Sequence, residues 1–225
     1  MQFKNVSLAY NKRNVLKNIS LDIKPGEFVF LIGASGSGKT SLINSIIGSK
    51  KISQGEIIDD AGNNLSKMSA KKMLQYRRKM GVIFQDFKLL SKKTVYENVA
   101  FAMEVCGYSN KDIRKRIPEV LSQVGLLAKK DKFIETLSGG EIQRTGIARA
   151  LIHHPQIIIG DEPTGNLDKH NALEVMYLLD TLNQQGKTII IATHDETIVN
   201  IMKKRVIAFQ DGKIISDQKC GNYCL

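Results

Sequence analysis

The stretch "EFVFLIGASGSGKTSLINSIIG", residues 27–48, joins an apolar strand-like run to a helix-like pattern through a glycine-rich turn. Few folds accommodate that sequence of events. At its centre Gly33, Ala34, Ser35, Gly36, Ser37, Gly38, Lys39 and Thr40, followed by Ser41, have the spacing G-x-x-x-x-G-K-[ST]. Glycines at 33, 36 and 38 let successive backbone N–H groups turn inward around a polyphosphate. The helix that follows adds its positive dipole end. In such a loop Lys39 reaches the β- and γ-phosphates and the Thr40 hydroxyl ligates Mg²⁺. A glycine-rich turn with a chance lysine is the alternative, and the strand before and helix after it argue against that.

A phosphate-binding loop that hydrolyses needs an acid for the metal and one for the water. "IIIGDEP" offers both, with Asp161 closing an apolar run and Glu162 next to it. Asp161 suits Mg²⁺ and Glu162 suits a general base. An Asp-Glu pair at a strand end is commonplace alone; beside the loop at 33–40 it points to nucleoside triphosphate hydrolysis.

The order of patterns is that of an α/β chain. "FKNVSLAY", "LKNISLDI" and "EFVFLIG" read as strands, then "GEIIDDAGNNL" as a strand and turn, and "MGVIF" as a short strand. Ser69 is placed to cap a helix over "AKKMLQYRRK". From Thr94 to about His154 the pattern is mostly helical, with Pro118 implying a break or kink. Strand character returns in "QIIIGDEP", "KTIIIAT", "RVIAFQ" and "GKIISD", with a helix over "NALEVMYLLDTLNQQG". An α/β core interrupted by a helical insertion fits this order.

The 225 residues, 42% hydrophobic and 24% charged, suffice for one real core. Three cysteines, Cys106, Cys220 and Cys224, argue against a disulfide framework and fit a reducing compartment. "MQFKNVSLAY" reads as a strand rather than a signal peptide, and no apolar run nears the ~20 residues a bilayer demands. The expectation is therefore a cytoplasmic chain whose membrane role, if any, runs through a partner. The net charge of +11 comes from dispersed lysines without interleaved aromatics, so a solvated surface is expected and no nucleic-acid partner. His153, His154 and His170 are expected at the surface, whereas Gly146 and Gly160 are expected to serve close packing.

"LSGGEIQR", residues 137–144, adds a second anion site: Ser138 can cap a helix whose first turn exposes the N–H groups of Gly139 and Gly140. With this motif about twenty residues before Asp161, the chain resembles the ATP-binding cassette family over essentially its whole length. The resemblance implies a P-loop nucleotide-binding core (1–85 and 156–225) with an N-terminal antiparallel β subdomain, and an inserted α-helical signature subdomain at 86–155. It implies an ATPase that forms a homodimer on binding ATP, the signature residues Ser138, Gly139 and Gly140 of one copy closing on the γ-phosphate held by the other. Matched motif by motif, Gln85 senses Mg²⁺ and the attacking water, and Asp168 in "GNLD" joins the two sites. His194 in "IATHD" contacts the γ-phosphate, and Tyr10 stacks on adenine unless it is only a strand tyrosine.

"FQDFKLL" and "KTVYENVAFAM" are similar to the corresponding segment of the family's bacterial cell-division members, though Ser91 stands where proline is common and the tail "CGNYCL" has no functional reading. This implies a polytopic membrane partner docked in the groove near Gln85–Thr94 and a role in controlling cell-wall hydrolysis. A lipoprotein-release or macrolide-export transporter is the alternative. A soluble cassette acting on ribosomes or DNA is a third, and it fits poorly with a single cassette lacking a long coiled-coil insertion.

Overall fold

The computed structural model describes residues 1–11, 13–165 and 167–223. Lys12, Asn166, Cys224 and Leu225 lie outside the described residues, among them one member of the "GNLD" loop and one tail thiol. The strands are β1 Gln2–Tyr10, β2 Arg13–Asp22, β3 Phe28–Ile32, β4 Gln54–Ile58, β5 Met80–Ile83, β6 Ile157–Asp161, β7 Thr188–Ala192, β8 Arg205–Gln210 and β9 Lys213–Gln218. The helices are α1 Lys39–Ile46, α2 Ala70–Arg77, α3 Val95–Cys106, α4 Asn110–Gln123, α5 Gly139–Leu151, α6 Lys169–Gln184 and α7 Glu196–Met202.

The strands form two sheets. One is three-stranded and antiparallel, in the order β2-β1-β4; the other is six-stranded, in the order β5-β6-β7-β3-β8-β9, and parallel except for β9. The inner strands of the larger sheet are buried on both faces, which is why they read as near-continuous apolar runs rather than alternating ones. The strand period of two nevertheless sorts their residues. Phe28, Phe30, Ile32, Ile158, Ile189 and Ile191 face the core shared with α3 to α7. Val29, Leu31, Ile157, Ile159, Ile190 and Ala192 face the core shared with α1 and the three-stranded sheet. Because β3, β6 and β7 run parallel and adjacent, the segments leaving their C-terminal ends converge on one edge of the sheet, as ligand sites in open α/β sheets do.

Helix starts follow the capping chemistry of the sequence. Thr94 and Glu97 form a reciprocal capping box on α3, and Ser138 and Glu141 form another on α5. Ser69, Ser109, Asp168 and Asp195 each accept a backbone N–H at the start of α2, α4, α6 and α7.

Four details depart from the sequence expectations. Helix α4 runs unbroken through Pro118, held by the buried row Ile113, Ile117, Val120 and Leu121, which outweighs one lost hydrogen bond. His153 is not a surface residue: it is half-buried, its Nε2 is 3.1 Å from the Met80 carbonyl, and burial lowers its pKa. Helix α7 was not expected at all. Gly160 does serve close packing, since a Cβ there would lie 2.8 Å from Ile191 Cδ1, but Gly146 does not. Gly146 is buried inside α5 with nothing within 4 Å of where a Cβ would stand. Gly146→Ala is thus expected to stabilise the chain by about 1 kcal/mol from helix propensity alone. Thermal denaturation will show a Tm raised by about 2–4 °C; a lowered Tm would mean that space is needed.

Candidate active site

The turn leaving β3 is built around glycines that nothing else replaces. Gly33 has φ +144°, and a Cβ there would sit 2.3 Å from the Phe209 carbonyl oxygen and 2.6 Å from Ser37 Oγ. Gly38, at φ +115°, is the N-cap of α1, where a left-handed turn delivers the chain into the helix. Lys39 opens α1 and is buried, its Nζ donating to the carbonyls of Gly33 at 2.6 Å and Ala34 at 3.1 Å. The ammonium therefore lies along its own loop. Desolvation lowers its pKa, opposed by the negative charges of Glu162 and Asp161.

Those carboxylates come from the end of β6. Thr40 Oγ1 donates to Asp161 Oδ1 at 3.2 Å, which ties the first turn of α1 to the neighbouring strand end. Burial raises the pKa of Asp161, with Thr40 acting in the opposite direction and Glu162 in the same one. Glu162 has φ +50°, a conformation costly for a side chain with a Cβ, and its N–H donates to the Ala192 carbonyl at 2.9 Å. The strained backbone turns its carboxylate away from the strand, where Oε1 lies 2.8 Å from His194 Nδ1. His194 follows β7 and is largely exposed, whereas Glu162 is mostly covered. The ends of three adjacent strands thus bring Lys39, Thr40, Asp161, Glu162 and His194 into one linked cluster.

The other predicted residues come from other elements. Gln85 is exposed and stands two residues past the end of β5, a strand slightly shorter than the sequence suggested. Tyr10 ends β1 on the smaller sheet, with Lys50 Nζ 5.2 Å above its ring centroid. Ser138 is bonded within the first turn of α5, which Gly139 and Gly140 open: Ser138 Oγ accepts from Glu141 N–H at 3.4 Å and Ser138 N–H donates to Glu141 Oε2 at 3.0 Å. The structure does not join them to the P-loop of the same copy. Asp168 caps α6, and the Asn171 N–H, 3.0 Å away, lowers its pKa.

Side chains outside the expected set tie these segments together. The buried Gln143 donates from Nε2 to the Pro163 carbonyl, just past Glu162. Arg144 Nη1 donates to Asn171 Oδ1 at 2.9 Å, and Asn171 in turn bonds Asp168. Two consecutive side chains of α5 therefore hold Pro163, just past Glu162, and the first turn of α6. Gln143 and Arg144 were visible within "LSGGEIQR"; their partners, from distant sequence, were not.

The family model for the ABC transporter matches residues 16–165. The cell division ATP-binding protein FtsE of Streptococcus pneumoniae serotype 2 (strain D39) is 47% identical over 213 residues, 95% of this chain and 92% of its own. Its counterpart of the same name in Bacillus subtilis (strain 168) is 47% identical over 224 residues, 99% of this chain and 98% of its own. The dimeric post-hydrolysis structure of the ATP-binding cassette MJ0796, bound to ADP and Pi, matches with a TM-score of 0.90 at 35% identity, covering 99% of each chain. The chain belongs to the ABC transporter family, as an ATPase cassette that converts ATP to ADP and phosphate.

Proposed function

We propose that this cassette is the cytoplasmic, peripherally membrane-bound ATPase of a cell-division complex, coupled through a docking groove to an FtsX-like polytopic membrane protein that regulates cell-wall hydrolysis. The observation that carries the reading is the 47% identity to FtsE over 95% of the chain. An apolar groove between the sheet and the inserted helices supports it. Leu74, Phe101 and Val105 are 48%, 46% and 47% exposed, and with Phe84 they line this groove beside the segment that follows Gln85. Exposed apolar side chains clustered in one groove are of the kind found at interaction surfaces, which fits a docked partner. Among the described residues no helix is long and apolar enough to cross a membrane, so the membrane portion is assigned to that partner.

Within the cassette we assign Glu162 as the general base that takes the proton of the attacking water. His194, at 2.8 Å, fixes the orientation of that carboxylate. Lys39 and the backbone N–H groups of 33–41 hold the β- and γ-phosphates, and Tyr10 stacks on the adenine. Ser138, Gly139 and Gly140 present the start of α5 to nucleotide held by a second copy, and Asp168 links the two sites. Thr40 Oγ1 and Asp161 Oδ1, both hard oxygen donors 3.2 Å apart, suit Mg²⁺, which takes few protein ligands, and Gln85 completes the set. When bound, the metal neutralises charge on the β- and γ-phosphate oxygens. The reading includes a single domain, with its core at 1–85 and 156–225 and its signature helices at 86–155.

Affinity capture from solubilised membranes with Glu162→Gln as bait and ATP present tests the reading. The expected result is a four-span protein with a large extracytoplasmic loop, lost when Phe101→Asp puts a charge in the groove. Recovery of a lipoprotein-release or export permease instead would replace cell division with transport.

A further inference from the structure

Directly after Gln85 the backbone does something costly. Phe87 and Lys88 are consecutive left-handed residues, at φ +58° and +50°, and neither is glycine. A side chain with a Cβ is crowded against its own carbonyl in that conformation, so such a pair persists only where its surroundings hold it. The local support is thin. Phe87 N–H donates to the Phe84 carbonyl at 3.1 Å and Lys88 N–H to the Asp86 carbonyl at 2.6 Å. The Lys88–Asp86 ion pair is 61% exposed at both ends, where such pairs contribute little.

What holds the turn comes from 61 residues away. Arg149, in the last turn of α5, donates from Nη2 to the Phe87 carbonyl at 2.6 Å and from Nη1 to the Lys88 carbonyl. Two parallel donors of one planar guanidinium thus grip two successive carbonyls, and that grip fixes the direction of both peptide planes. Arg149 is half-buried, and among the described residues no carboxylate pairs with it. Its mounting is rigid. A Cβ on Gly81 would lie 2.3 Å from the Ala150 carbonyl oxygen, so β5 and the end of α5 touch backbone to backbone just before the turn. The same guanidinium lines the apolar groove with Lys88 and His153.

We propose that Arg149 is a positioning residue for ATP hydrolysis, clamping the left-handed turn at Phe87–Lys88 so that Gln85 is held in one orientation toward the nucleotide. This rests on the assignment of Gln85 made above. It gives α5 two tasks, presenting the Ser138 turn at its first residue and holding the Gln85 loop at its last turn. It also places the clamp where an occupant of the groove meets it.

The test uses the full chain with ATP and Mg²⁺, measuring kcat, the Mg²⁺ concentration for half-activation, and the Kd of a fluorescent ATP analogue. Arg149→Gln is expected to lower kcat about tenfold, short of the roughly hundredfold that misplacing a catalytic group by about 1 Å costs. Half-activation moves to higher Mg²⁺ while the Kd stays at its wild-type value. Arg149→Lys, which keeps the charge and the stem but not the fork, gives a smaller loss and serves if Arg149→Gln does not fold. The Gln85→Ala/Arg149→Gln double variant is expected to be no slower than Gln85→Ala alone, because both act through one group. Wild-type kcat in both Arg149 variants, or losses that multiply in the double variant, overturns the clamp and leaves the role of Gln85 standing. A silent Gln85→Ala overturns both.

Discussion

Glu162→Gln is expected to reduce ATP turnover by at least about a hundredfold, the contribution of a positioned general base, and to convert the chain into a stable ATP-bound dimer. The geometry argues for a chemical rather than a structural loss. Glu162 is held in its left-handed conformation by its backbone, through the N–H bond to Ala192 and the turn that returns from Gly165 N–H to its own carbonyl at 3.2 Å. Glutamine keeps those bonds and nearly the same volume. What changes is basicity: one carboxylate oxygen becomes an NH2, and the remaining amide oxygen can still face His194 Nδ1 but does not take up a proton. Nucleotide affinity should therefore survive while the step that opens the dimer does not. Sedimentation with ATP will show a dimer that persists for the length of the experiment, and a turnover assay will show residual hydrolysis only. Turnover near the wild-type value would remove Glu162 as the base and leave the water without an assigned acceptor.

How much of this was readable beforehand depends on the range of the interactions. The turn from Gly33 to Thr40 announces itself because every requirement on it is local: positive φ, absence of a Cβ, and an amine and a hydroxyl at fixed offsets. The parallel strands were legible for a similar reason, their double-sided burial being written as runs such as "FVFLI" and "TIIIA". Helix α7 was not, although Asp195 before Ile198, Val199 and Met202 carries a cap and an apolar row; seven residues are too short for a period to stand out. Pro118 misled because propensity says what a residue does alone, and four buried neighbours overruled it. His153 misled because a histidine at a helix end reads as polar punctuation, and only the approach of β5 buries it. The wiring of the site was the least legible part. Gln143 to Pro163, Arg144 to Asn171 and Arg149 to Phe87 and Lys88 pair side chains of one helix with backbone or side chains far along the chain, and one sequence carries no trace of such a partner.

Lys39→Ala is expected to weaken ATP binding roughly 10- to 100-fold, the loss of charge-assisted hydrogen bonds contributing about 1.5–3 kcal/mol. The charge balance of the site explains why no neighbour compensates. Lys39 is the ammonium set against Asp161 and Glu162, and with alanine in its place a polyphosphate meets two carboxylates and a loop of dipoles. In the structure the Lys39 amine donates to the carbonyls of Gly33 and Ala34, which uses two of its three N–H groups and leaves one for phosphate. Desolvation disfavours the buried ammonium, and an arriving anion favours it, so binding and the charged form reinforce each other. Thermal denaturation with and without nucleotide reads this directly. At ATP a hundredfold above its Kd the wild-type chain gains about 2.7 kcal/mol. A variant with a hundredfold weaker Kd gains only about 0.4 kcal/mol under the same conditions, and its ATP-induced rise in Tm nearly vanishes. The nucleotide-free Tm serves as the control for folding. A full ATP-induced rise in Lys39→Ala would take Lys39 out of the phosphate site, and with it the role assigned to the loop at 33–40 that constrains the whole fold.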